Sequence, residues 1–167
     1  EWTFKGVNEY NYKSGSDTLL YIDNYSDAGK GKKNLRSRTI YSANGEDPVR
    51  GISFKENGDI RNVSEYLGRS VDTEDVKVYE VANSVTLDVL TARDDKGILT
   101  AKVDGSWTFK GVNVYQYKAG TDTLSYIDNY ADAERKNRRS RTIYSANGED
   151  PVRGISFKEN GDIRNVS

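Results

Sequence analysis

Apolar and polar residues alternate with a period of two along most of this chain, and nowhere hold a helical period over a useful length. Trp2, Phe4, Tyr10 and Tyr12 alternate with polar neighbours, as a half-buried strand requires. Ser14–Asp17 supplies turn chemistry, and residues 18–25 read as a second strand. Residues 38–42 are a third strand, followed by a turn at 43–48 in which Pro48 bars helix. Residues 51–63 read as a hairpin around Asn57-Gly58. A two-residue loop there would set Phe54 against Arg61. A three-residue loop with Gly58 left-handed sets Phe54 against Ile60 and Lys55 against Asp59, which satisfies both pairs and predicts a G1 bulge. Residues 65–76 are polar, with room for one short helical turn, and 75–81 are a strand. Residues 84–105 read as a second hairpin turning at Asp95-Lys96-Gly97. In that register Val89 faces Val103 and Arg93 faces Leu99, so that Val85, Leu87, Val89, Ala101 and Val103 share a face.

The pattern repeats. Residues 36–64 return unchanged as 139–167, and 2–25 return with few changes as 107–130. Over the whole repeat 52 of 62 aligned positions are identical, with one two-residue gap after Ala28, so both copies must share one structure. The chain reads A–B–A′: module A at 1–64, a unique module B at 65–105, and A′ at 106–167. Substitutions between copies (Glu9 to Val114, Asn11 to Gln116, Leu20 to Ser125) leave Tyr10, Tyr12, Leu19 and Tyr21 unchanged. This assigns the substituted positions to an outward face and the tyrosines to the core. The length change marks 27–38 as a solvent-exposed loop. The fold class is all-β: an elongated tandem array of small antiparallel modules, built as single-layer sheets or small sandwiches.

Composition sharpens the chemistry. Hydrophobic residues are 35% of the chain and Tyr the commonest aromatic, which suits thin sheets with little true interior. The net charge of −1 gives no general attraction to nucleic acid or anionic membrane, and no apolar run is long enough for a membrane span. Met is absent and the chain starts in mid-pattern, which reads as a processed chain or a piece of a longer array. With neither His nor Cys, catalysis would fall to carboxylate pairs, Ser/Lys arrangements or Tyr. The acidic clusters at Glu46-Asp47, Asp72/Glu74/Asp75 and Asp94-Asp95 sit in expected turns, where Asp serves its own hydrogen bonds. The chain is read as a non-enzyme.

Two ligand chemistries remain in view. Calcium is the one cofactor considered, on Asp23, Asn24 and Asp27 and again on Asp128, Asn129 and Asp132, although the spacing is not that of an EF-hand and nearby cations oppose it. The loop is basic in both copies: Lys30, Lys32, Lys33, Arg36 and Arg38, then Arg135, Lys136, Arg138, Arg139 and Arg141. With Tyr25 and Tyr41 beside it, such a loop suits an anionic polymer, a cell-wall or extracellular polysaccharide such as a sulfated glycan ahead of nucleic acid. A solvated loop or a charge-protected edge strand explains the same residues.

A run of 29 identical residues exceeds what structural selection alone would hold, and points to recent duplication within a longer array. In architecture the chain resembles the high-identity tandem repeats of bacterial surface proteins, such as the adhesin stalks of Gram-positive cells. That resemblance implies an extracellular or cell-surface spacer whose first partners are neighbouring repeats, with a glycan-binding module or a calcium-stabilised surface-layer or fibre subunit as alternatives.

Overall fold

The computed structural model describes residues 2–100 and 105–167. Nearly all its regular structure is strand: β1 (Val7–Tyr12), β2 (Leu19–Tyr25), β3 (Leu35–Tyr41), β4 (Pro48–Phe54), β5 (Ile60–Ser70) and β6 (Thr73–Val81), then β7 (Trp107–Tyr117), β8 (Leu124–Tyr130), β9 (Arg138–Tyr144), β10 (Pro151–Phe157) and β11 (Ile163–Val166). Between β6 and β7 lies one short helix, α1 (Leu87–Thr91). Every strand is antiparallel to its sequence neighbour, so the sheet is open and runs in chain order. Contacts divide the chain into two compact units, Glu1–Glu65 with Tyr79–Thr108, and Tyr66–Val78 with Phe109–Ser167. Residues of module B fall in both.

In the first unit the strand registers sort side chains onto two faces. One face carries the row Glu9, Asp23, Arg38, Ile52, Val63 and the row Asn11, Tyr21, Ile40, Arg50, Glu65. The other carries Asn8, Asn24, Ser37, Ser53 and Asn62, small polar groups that need no cover, and the row Tyr10, Ile22, Thr39, Gly51 and Ser64. The first face is roofed. Leu90 of α1 is 1% exposed in a cluster with Ile40, Ile52 and Val63, and Val85, Leu87 and Leu99 pack around it. Burying a Leu side chain to that degree is worth about 1.5–3 kcal/mol, so this roof supplies much of what a thin sheet otherwise lacks.

The second unit repeats the registers. Val114, Asp128, Arg141, Ile155 and Val166 form one row; Gln116, Tyr126, Ile143 and Arg153 form the next. Here the hairpin of residues 66–78 adds support along β7. Tyr117 donates its backbone N–H to the Asp72 carbonyl (2.8 Å), and Gly120 donates to the Asp72 carboxylate (3.1 Å). Arg69 lies 4.2 Å over the Tyr117 ring and bonds Asp122 and the Thr121 carbonyl.

The all-β reading and several registers hold. Phe54 pairs with Ile60 across a bulge, and Phe157 with Ile163; Gly58 and Gly161 have φ of 89° and 88°, the left-handed conformation a three-residue loop demands. Arg93 pairs with Leu99 as expected.

Five expectations need correction. The helical turn expected after residue 65 is strand, since β5 runs on to Ser70 and turns at Val71-Asp72 into β6. The strand expected through Val85, Leu87 and Val89 is α1, capped by Thr86, whose hydroxyl accepts from Val89 N. Alternation suggested a strand, but Leu87 and Leu90 are three apart, and a helical turn sends both to the sheet while leaving Val89 outside. Ala101 and Val103 lie outside the described residues. Residues 2–6 are not strand, and β1 starts at Val7. The facing of β1 is reversed: Tyr10 and Tyr12 are 53% and 54% exposed, whereas Glu9 and Asn11 stand on the roofed face beside Asp23 and Tyr21. Lastly, the loop ends at Asn34, so Arg36 and Arg38 belong to β3, and Arg138, Arg139 and Arg141 to β9.

Candidate functional site

The most heavily determined polar position in the first unit is Arg50. It alternates with Ile52 on the inward parity of β4 and is only 4% exposed. Its guanidinium meets Glu65 at 2.8 Å, donates to the carbonyls of Leu90 (2.8 Å) and Thr100 (3.3 Å), and lies 5.0 Å over the Trp107 ring. Every bond it makes to the roof goes to backbone oxygen, so it recognises the path of that segment rather than its side chains. Trp107 in turn meets Tyr79 edge-on at 5.5 Å. A second arginine works in the opposite direction. Arg93, from the roof, donates to the Tyr41 carbonyl (2.6 Å) and the Leu20 carbonyl (3.1 Å) of the sheet. Burial depresses its pKa, and these carbonyls accept its hydrogen bonds in place of water. Sheet and roof therefore clasp each other through arginines from both sides, Arg50 and, at 3.4 Å to the Thr91 hydroxyl, Arg38 from the sheet and Arg93 from the roof.

Beside Arg50 lies a buried ion pair. Asp23 accepts from Arg38 Nε (2.7 Å) and Nη2 (2.8 Å), and the guanidinium covers Tyr21 at 3.8 Å. Burial opposes the charge of Arg38, but the hydrogen bonds and charge of Asp23 hold its pKa above the ordinary value. The copy keeps this pair and adds a second arginine: Arg141 meets Asp128 at 2.7 Å and Tyr126 at 3.9 Å, the Asp128 hydrogen bond raises the Arg141 pKa, and Arg138 also reaches Asp128 at 3.4 Å. Burial, reinforced by the neighbouring aspartate, raises the pKa of Tyr25 and Tyr130.

This geometry disperses the basic residues singled out above. Arg38 and Arg141 serve the buried pairs. Arg36 and Arg139 donate to the carbonyls of Lys5 (3.2 Å) and Lys110 (3.0 Å), tying down the chain before β1 and within β7. Lys30 pairs with Glu9 at 2.9 Å, and Arg135 with Asp75. Lys33 and Lys136 are exposed, and the side chain of Lys32 lies outside the described residues. The oxygen ligands are dispersed as well. Asp23 and Asp128 are engaged by arginine; Asn24 and Asn129 point to the other face and bond Asn8 and Asn113, each at 2.8 Å. Asp27 accepts from Gly29 N, and Asp132 from the backbone of Lys136 and Asn137, which lowers the Asp132 pKa. Among the described residues, no group of three His, Cys, Asp or Glu converges as a metal site.

One concentration of positive charge does form, in the second unit. A concavity of about 1050 Å³ is lined by Arg135, Lys136, Arg138, Arg139, Lys158 and Arg164, with Glu159 the acid among its lining. Arg138 stands where the first copy has Leu35, and lies 4.2 Å over the Phe157 ring. The Leu35 counterpart is buried. Comparison with known proteins finds no matching family model, no similar curated protein and no similar solved structure.

The inward role of Arg50 and the clasp of Arg93 on the sheet escaped the sequence reading, which placed Arg93 only opposite Leu99. The available signal for Arg50 was its parity with Ile52 and Phe54, which marks an inward arginine. Arg93 has a local bond to the Gly97 carbonyl (2.8 Å), but nothing local marks its clasp, because the sheet carbonyls it reaches lie 52 and 73 residues away.

Proposed function

We propose that this chain is a structural, non-catalytic tandem-repeat segment of an extracellular, bacterial surface protein, in which each repeat is completed by its neighbour. One observation carries the reading: among the described residues module B has no buried cluster of its own, since residues 79–100 contribute to the unit built on A and residues 66–78 to the unit built on A′. Such interlocking is what nearest-neighbour stability in a repeat array needs. Its function would be projection or cohesion at the cell surface, with neighbouring repeats as first partners. The test is small-angle X-ray scattering on the chain. A radius of gyration well above the roughly 15 Å of a compact chain of this length supports a spacer, and a value near it removes the reading.

The basic concavity of the second unit favours a second reading, a module that holds an anionic polysaccharide. Arg135, Lys136, Arg138, Arg139, Lys158 and Arg164 would meet its sulfates or carboxylates.

A further inference from the structure

The same 29 residues meet two fates in this molecule. In the first unit Ile40, Arg50, Ile52 and Val63 are buried by the roof. In the second, Arg153 is exposed, Ile143 and Ile155 are half-buried, and Val166 is 58% exposed. We propose that this face of β9, β10 and β11 is a docking site for a second copy of the segment 79–108, supplied by another repeat of the same kind.

The occupant is identified by the molecule's own precedent. Tyr126, Ile143, Arg153, Ile155, Phe157, Ile163 and Val166 are identical to the residues that carry the roof in the first unit, and their registers are identical as well. Arg153 stands where Arg50 binds the carbonyls of Leu90 and Thr100. The carbonyls of Tyr144 and Ser125 stand where those of Tyr41 and Leu20 receive Arg93. Charge agrees: residues 79–108 hold five acids against three bases, and the concavity adjoining the face is basic. Between β3–β5 and β9–β11 one position differs, while on the adjoining β7 Val114 and Gln116 replace Glu9 and Asn11 of the same face. Arg138, in place of Leu35, covers Phe157 and pairs with Asp128 at 3.4 Å, and must swing aside for the counterparts of Val85 and Leu87, which line one cavity with Leu35 in the first unit. It weakens docking and keeps the open face soluble, as a charged residue does at an unprotected sheet surface.

This inference names the partner in the array reading and rests on that reading only for its biological setting. The experiment is fluorescence anisotropy with a labelled synthetic peptide of residues 79–108, titrated with the intact 167-residue chain. Saturable binding of one peptide per chain is expected. Ile155→Asp should weaken it at least about tenfold, as should Arg93→Ala in the peptide, in line with losing a buried anchor. Arg138→Leu should tighten it by about tenfold, the worth of restoring one buried apolar side chain, and a gain cannot come from misfolding. Circular dichroism confirms that each variant is folded. The proposal is overturned by no saturable binding to the folded chain, or by binding that ignores both Ile155→Asp and Arg138→Leu. It is also overturned if sedimentation shows the face occupied by a second copy of itself that the peptide cannot displace. A sulfated polysaccharide that binds while the peptide does not, and that loses affinity with Arg138→Leu, assigns the face to polyanions instead. Scattering and titration fail separately: a compact chain that binds the peptide loses the spacer role and keeps the docking site.

Discussion

Modules A and A′ are near-identical in sequence and pairing, yet one hides the side chains that the other shows. Ile52 is 1% exposed and its copy Ile155 is half-buried; Arg50 is buried and Arg153 is not. The inverse holds at the other end of the repeat. Tyr10 and Tyr12 are largely exposed, while their copies Tyr115 and Tyr117 are half-buried, with the 66–78 hairpin bonded to Tyr117. Each copy thus receives one of the two supports that module B provides. Burial here is a property of the neighbour, since the shared strand registers are the same with or without it. An antiparallel meander makes this workable, because its ladder hydrogen bonds close locally and the roof is needed for stability rather than for pairing.

The sharpest way to break the comparison is at the arginines. Arg50→Ala removes the partner of Glu65 and of two roof carbonyls inside the core, and should cost about 3–5 kcal/mol, as breaking a buried ion pair does. Arg153→Ala should stay within about 0.5 kcal/mol, the usual range for an exposed site. Chemical denaturation of the two variants measures the difference. Equal effects would mean that the roof does not depend on Arg50.

Next come the isoleucines. Ile52→Ala empties a position enclosed by Ile40, Val63 and Leu90, and should lose about 2–5 kcal/mol. Ile155→Ala deletes the same atoms from an open face and should lose about 1 kcal/mol or less, because solvent already reaches the site. Adding the 79–108 peptide should raise the cost of Ile155→Ala towards that of Ile52→Ala, since a docked segment would have to leave the cavity as well. Identical costs for the two substitutions without peptide would remove the contrast between a roofed and an open face.

These contrasts also mark the limit of what could be read from the sequence. Strands β2 to β4, the Gly58 bulge and the Arg93–Leu99 pairing were legible because each depends on residues close by in sequence. The facing of β1 was not. Its alternation is symmetric, and aromatic residues on one parity suggested a core where Glu9 and Asn11 in fact face inward, beside Asp23 and Tyr21. The roof was missed for a related reason: one helical turn has too few residues to outweigh alternation, and its stability comes from the Leu90 cluster and from Arg50, both set by contacts far along the chain. Of the candidate site, the basic character of the loop survives as the concavity around Arg138, while Arg38 and Arg141 turned out to be partners of Asp23 and Asp128. The one letter that most distinguishes the copies, Leu35 against Arg138, was visible throughout, but its meaning required knowing that Leu35 lies under the roof.

The smallest expected effect concerns the tyrosines that the 66–78 hairpin supports. Burial raises the pKa of Tyr115, with the charges of Tyr144 and Glu74 adding to it, and burial together with Glu74 raises that of Tyr117. The folded chain therefore favours the neutral phenol more than the unfolded chain does. The stability this contributes is fully present below pH 10, the ordinary value for tyrosine, and is lost as the pH rises through the raised folded-state values. Stability of the parent chain should fall on the alkaline side of pH 10. In Tyr115→Phe part of that fall should disappear, because the variant has no phenol to ionise on unfolding at that position. Urea denaturation at a series of alkaline pH values, paired with ultraviolet titration of the phenolates, measures both quantities on the same sample. If Tyr115→Phe loses stability with pH as steeply as the parent, then Tyr115 ionises as readily folded as unfolded, and the shelter assigned to the second copy is absent.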